Sequence, residues 1–220
     1  MRVAFLASGG GGTLRFVHHF SQLYGEIEVC RVIADRECGA IQFARENEIE
    51  SSVVKYSREK PWQLREEIAK IPEDSIIVTN FHKIIDSTTV GLFRGRLVNL
   101  HYSLLPSFSG LIGMETVVEA KSRGNTIIGS TCHYVDEIVD NGPIISQSAL
   151  CVNWEVEEEV AVKDRLFRSS CLNLVNGLFH IYGKSGVRET REFQGSFFSP
   201  GLLFSTDCVT ENFWQQVKKN

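Results

Sequence analysis

Asn99 and His101 stand two residues apart in the run LVNLHYSLLPSFSG, Leu97 to Gly110, at the end of what reads as a strand. Strand alternation sends both side chains to the same face. An amide donor and an imidazole converging on one point suit two tasks: holding a developing oxyanion and delivering a proton to a leaving group. A strand-end histidine also serves as an ordinary structural residue, and the pair alone does not choose between these roles. The run STCHYVDEIVDNGPI, Ser130 to Ile144, brings three carboxylates, Asp136, Glu137 and Asp140, onto one loop tipped by Asn-Gly-Pro. That loop is either a solvated turn or the source of a carboxylate for His101, which would favour the charged imidazolium. His133 alternates with Thr131 and Val135 and is a rival acid. The third candidate is SGGGGTL, Ser8 to Leu14, where Gly10, Gly11, Gly12 and Thr13 open a helix. Glycines there allow positive φ and close approach of the backbone, and outward-pointing amides suit a phosphate. A tight strand-to-helix turn explains the same glycines, and no Walker lysine or full dinucleotide fingerprint accompanies them.

These residues need elements to hold them. Short apolar runs rich in β-branched residues alternate with helical periods, predicting strands at Arg2–Ala7, Glu26–Ala34, Ser52–Tyr56, Ser75–Asn80 and Leu97–His101. Helices are expected at Thr13–Tyr24, Gly39–Asn47, Pro61–Ile71 and Thr88–Arg94. That is a doubly wound, mostly parallel α/β sheet, in which ligands collect at the carboxyl ends of the strands. After Gly110 come a helix at Glu115–Ser122, strands Ile127–Val135 and Pro143–Val152 pairing antiparallel, and a long helix at Glu157–Tyr182. The stretch REFQGSFFSPGLLFSTD has no dependable period. One domain over residues 1–183, with an irregular tail over 184–220 packed on it, is the expected organisation.

Composition narrows the function classes. Hydrophobic residues make up 43% and charged residues 23% of 220, as in an average soluble domain. A formal charge of −4 supplies no basic stripe, which argues against a nucleic-acid partner. No apolar run approaches the ~20 residues that span a bilayer, so no membrane association is expected. Six cysteines are scattered without a C-x-x-C pair, predicting reduced thiols in the cytoplasm and no metal site.

NLHYSLLP followed by GSTCHYVDEIVDNGPII resembles the folate-dependent formyltransferases over about Met1 to Gly183. The resemblance implies a Rossmann-like formyltransferase fold with an antiparallel C-terminal extension and a long C-terminal helix. It implies 10-formyltetrahydrofolate as co-substrate, with no metal, and Asn99, His101 and Asp140 as the catalytic set beside His133. Phe81, His82, Lys83, Ile84 and Ile85 resemble the segment holding the pterin, with Arg58 and Val139 as further folate contacts; the glycine loop with Thr13 resembles the substrate-phosphate site. The small-molecule partners implied are a reduced folate and a phosphorylated amine, with a homodimer allowed. The likeness is nearest to members that formylate glycinamide ribonucleotide in purine biosynthesis. Amino-sugar nucleotide N-formyltransferases and formyltetrahydrofolate hydrolases are the alternatives. Within the motifs, Thr13 replaces asparagine, His82-Lys83 replaces Met-Arg and Tyr102 replaces proline, while Arg168 stands where the ribonucleotide enzymes offer a glutamate.

Overall fold

A computed structural model describes residues 1–184 and 190–218. The chain divides into two compact units, Met1–Val98 with Asp207–Asn220, and Asn99–Thr206.

The first unit alternates β1 (Arg2–Ala7), α1 (Gly12–Tyr24), β2 (Glu28–Ala34), α2 (Gly39–Glu46), β3 (Ser51–Val53), α3 (Trp62–Ile68), β4 (Ile76–Asn80), α4 (Ser87–Leu92) and the start of β5 (Leu97–His101). Its strands are parallel, in the order β3-β2-β1-β4-β5. Every residue of β1 after Arg2 is buried, as a strand covered on both faces requires. The order reverses beside β1: β2 lies on one side and β4 on the other, which opens a crevice at their carboxyl ends. Glycines bound α1, with Gly11 at φ 72° before it and Gly25 at φ 63° after it. Left-handed backbone at both ends is cheap only for glycine.

The second unit takes the end of β5 and adds α5 (Glu115–Ser122), β6 (Ile127–Tyr134), β7 (Ile144–Cys151), α6 (Glu159–Ile181), β8 (Thr190–Phe193) and β9 (Ser196–Leu202). β6, β7, β9 and β8 follow one another antiparallel, and α6 packs against β6, β7 and β9. A buried polar seam runs under α6: the hydroxyls of Ser130, Ser148 and Ser169 bond in series, and Asn173 donates to the Ser130 carbonyl and hydroxyl. Gly177 is required there, because a Cβ would stand 2.7 Å from the Cys132 sulfur.

The expected strands and helices are present with small changes at their ends; β3 is shorter than its expectation, three residues ending at Val53. The tail differs from the irregular segment that its lack of period suggests. It forms β8 and β9, joined by Gln194 and Gly195 at φ 49° and 71°, a two-residue hairpin with both residues left-handed. It ends in α7 (Glu211–Lys218), whose Phe213 and Trp214 rings lie 5.5 and 5.1 Å from Phe16 of α1 in the first unit. The part of that expectation on residues 185–189 and 219–220 lies outside the described residues. The chain leaves one set of mutually packed elements at β5 and returns to it only at Asp207, and no composition change marks either point.

No described helix is long and apolar enough to cross a membrane. All six cysteines are free.

Candidate active site

Four of the residues singled out by sequence meet in the second unit. Asn99 and His101 leave the carboxyl end of β5 on one face, Asn99 half-buried and His101 5% exposed. His133 lies next to the end of β6, where the pairing with β7 slips between Cys132 and His133. Such a bulge re-aims the side chain that follows it. Asp140 sits in the β6–β7 loop at φ 56°, a left-handed conformation that aspartate tolerates better than most residues. Gly142 lets this loop close: a Cβ there would stand 1.8 Å from the Tyr134 carbonyl oxygen.

The Asp140 carboxylate is the hub. Oδ2 accepts from the Gly110 amide at 2.8 Å and lies 3.4 Å from His101 Nδ1. Oδ1 accepts from Asn99 Nδ2 at 3.4 Å and lies 3.8 Å from His133 Nε2. The other ring nitrogen of His101, Nε2, donates to the Phe108 carbonyl at 3.1 Å. A carbonyl only accepts, so that nitrogen carries a proton. Both nitrogens of His101 therefore face oxygen atoms.

His133 is built the other way round. Its Nδ1 donates to the Tyr134 carbonyl at 2.8 Å, leaving the Nε2 lone pair to accept from Asn99 Nδ2 at 3.3 Å. Burial pushes its pKa below the ordinary histidine value, outweighing the Tyr134 carbonyl and Asp140, which act in the opposite direction. His133 is thus a neutral ring that orients the Asn99 amide. Of the three loop carboxylates, Asp140 alone reaches the histidines; Asp136 instead accepts from the Ile138 amide at 2.9 Å and Glu137 is exposed. Phe108 and Gly110 lie inside a motif the sequence picked out, yet no residue type marks a backbone group as a ligand. Their only trace is the glycine closing SFSG.

The remaining candidates divide by unit. In the first unit the Gly10–Thr13 loop follows β1 and the Phe81–Ile85 segment follows β4, and the His82 amide donates to Oγ of Ser8, two residues before that loop, at 3.0 Å. Gly10 is exposed, with nothing within 4 Å of an added Cβ. Thr13 is buried, and its hydroxyl bonds to the Asn80 amide. Lys83 Nζ donates to the Tyr56 carbonyl at 2.9 Å and lies 3.7 Å from Asp35. The Tyr56 hydroxyl donates to the Ile84 carbonyl at 3.1 Å, and Phe81 packs on the Tyr56 ring at 5.7 Å. Ile84 presents its side chain to solvent, Ile85 is half-buried and Arg58 is exposed in the turn before α3. In the second unit Val139, next to Asp140, is exposed, and Arg168 donates from Nε to Asp164 at 2.8 Å. Among the described residues no cluster of histidine, cysteine and carboxylate side chains could hold a metal ion.

Comparison with known proteins converges on one family. Residues 1–171 match the family described as formyl transferase. A chloroplastic phosphoribosylglycinamide formyltransferase from Vigna unguiculata is 30% identical over 173 residues, covering 74% of this chain and 55% of that protein. A formyltetrahydrofolate deformylase from Haemophilus influenzae is 31% identical over 100 residues, covering 46% of this chain and 35% of that protein. The chain thus spans about half the length of the first curated relatives it matches. Among solved structures, the phosphoribosylglycinamide formyltransferase from Anaplasma phagocytophilum superposes with a TM-score of 0.72 at 26% identity, over 85% of this chain and 89% of that one.

Proposed function

The chain belongs to the formyl transferase family, and from that premise we propose that it moves the formyl group of 10-formyltetrahydrofolate onto a primary amine, that of glycinamide ribonucleotide. One observation carries the reading: a buried carboxylate, Asp140, gathers Asn99 and His101 at the end of β5. An amide donor and an imidazole held side by side match a reaction in which a carbonyl oxygen gains charge and a nitrogen leaves.

When bound, the folate supplies an activated formyl group whose oxygen becomes negative as the amine attacks. Asn99, whose two N–H groups bond to Asp140 Oδ1 and His133 Nε2, is read as turning one of them to that oxygen. His101 stands beside it, its Nδ1 3.4 Å from Asp140 Oδ2. The proton that the attacking amine loses is relayed by His101, or by a water on it, to the departing folate nitrogen, which is too poor an anion to leave unprotonated. In the first unit the Phe81–Ile85 segment, with Arg58, is read as contacting the folate, and in the second unit Val139 is; Ile84 and Val139 each present exposed apolar side chains. The glycine loop, with Gly10, Gly11, Gly12 and Thr13, is read as the acceptor's phosphate site. We assign the activity to the domain over residues 1–183, in a cytoplasmic setting consistent with free thiols.

Hydrolysis of the same folate is the second reading, favoured by the match to the deformylase. Incubation with 10-formyltetrahydrofolate and candidate amines, following tetrahydrofolate release, separates them. Turnover dependent on glycinamide ribonucleotide supports the proposal. Turnover only with an amino-sugar nucleotide replaces the acceptor, and turnover in water alone selects hydrolysis.

A further inference from the structure

The loop after β5 makes two backbone contacts that the reaction does not itself call for. The Phe108 carbonyl accepts the Nε2 proton of His101, and two residues later the Gly110 amide donates to Asp140 Oδ2. Those two side chains meet each other on the remaining side, at 3.4 Å. A closed ring results, running from His101 through Phe108 and Gly110 to Asp140 and back. Its backbone is unusual: Phe108 has φ 58° and Gly110 φ 83°. For phenylalanine the left-handed region is strained and persists only where the surroundings hold it. The ring of Phe108 supplies that hold. It packs against the cluster of Val117, Ala120 and Leu166 and lies 5.5 Å under the Arg123 guanidinium.

We infer that Phe108 is a positioning residue for His101: its left-handed backbone, anchored by the half-buried ring, fixes the proton on Nε2 and leaves Nδ1 facing Asp140. The inference rests on the reading of His101 as the group that moves protons. A carbonyl has no proton to give, so a neutral His101 keeps its hydrogen on Nε2. Asp140, fixed by the Gly110 amide, then faces the lone pair or the second proton on Nδ1. The groups facing the imidazole in the second unit are Asp140, the Phe108 carbonyl and the neighbouring ring of His133.

Two substitutions separate backbone from packing. Phe108→Asn removes the ring but accepts positive φ, whereas Phe108→Val keeps apolar bulk and resists it. Phe108→Val is expected to lower kcat roughly tenfold or more while KM for either substrate stays within about twofold. Phe108→Asn should keep kcat within about threefold of the parent even where its Tm falls as far. The independent readout is ¹⁵N NMR of the imidazoles above neutral pH, with His101→Gln to assign the signal. The parent and Phe108→Asn should show the Nε2–H tautomer of His101, and Phe108→Val a mixture. Equal kcat losses in the two variants would overturn the assignment. So would an Nδ1–H tautomer in the parent, a measurement that needs no substrate and of the variants only His101→Gln, for assignment. If no formyl transfer is found at all, the tautomer still decides whether the loop fixes the ring, so failure of the activity and failure of this inference are told apart.

Discussion

His101 and His133 face the two oxygens of one carboxylate with opposite hydrogen patterns: Nε2–H of His101 is held by the Phe108 carbonyl, and Nδ1–H of His133 by the Tyr134 carbonyl. The nitrogens left facing Asp140 are therefore Nδ1 of His101, at 3.4 Å, and Nε2 of His133, at 3.8 Å. One ring faces oxygen at both nitrogens, whereas the other faces a carbonyl at Nδ1 and the Asn99 amide at Nε2. That asymmetry gives the two histidines distinct tasks and leads to separate tests.

Asp140→Asn keeps the shape of the hub and removes its charge. Loss of a charged hydrogen-bond partner worth about 2–3 kcal/mol corresponds to a fall in kcat of roughly thirtyfold to over a hundredfold. Measuring kcat at saturating acceptor checks this; a parent-like kcat would show that the hub does not serve the chemistry.

For His133 the prediction concerns stability. Its native pKa is depressed by burial, so between pH 7.5 and 5.5 the unfolded chain takes up a proton near its ordinary ~6.5 while the native ring does not. Stability must then fall as pH falls through that window. His133→Gln should flatten the dependence, read as urea midpoints at the two pH values. His18 and His19, which burial also depresses, leave a residual slope.

Gly142→Ala forces a Cβ into the Tyr134 carbonyl, so the loop carrying Asp140 has to move. Overpacking of this kind costs about 1–3 kcal/mol. A Tm lower by several degrees, together with a kcat loss larger than that of Gly124→Ala on the surface at φ 69°, is the expected pattern in parallel thermal melts and assays.

Gly10 tests the phosphate assignment without strain, since its Cβ position is open and its φ is not in the left-handed region. Gly10→Asp puts a negative charge where a phosphate is expected, which should raise the acceptor's KM at least tenfold and leave the folate Kd within about twofold. Equal weakening of folate binding, measured by fluorescence titration, would move the loop to the folate.

Much of this was legible before folding. The parallel βα alternation follows from apolar periodicity, because a strand covered on both faces must be continuously apolar, as Val3 to Ala7 are. Asn99 and His101 share a face because strand side chains alternate, whatever surrounds them. The pattern of the two motifs also sufficed to mark the family. The three acidic residues of the loop were indistinguishable in sequence, since each is an exposed-type residue in a turn.

Only the tertiary structure separated them. Asp140 is selected by a left-handed backbone and by the close approach of Gly142 to Tyr134, both consequences of how the β6–β7 loop closes. The protonation pattern of His101 and His133 comes from main-chain carbonyls of Phe108 and Tyr134, which every residue type possesses and no sequence pattern can mark. The destination of the tail was hidden for a related reason. Phe213 and Trp214 declare an apolar face, but the partner they find, Phe16, lies nearly two hundred residues away in the chain, and that pairing is fixed only when the elements pack.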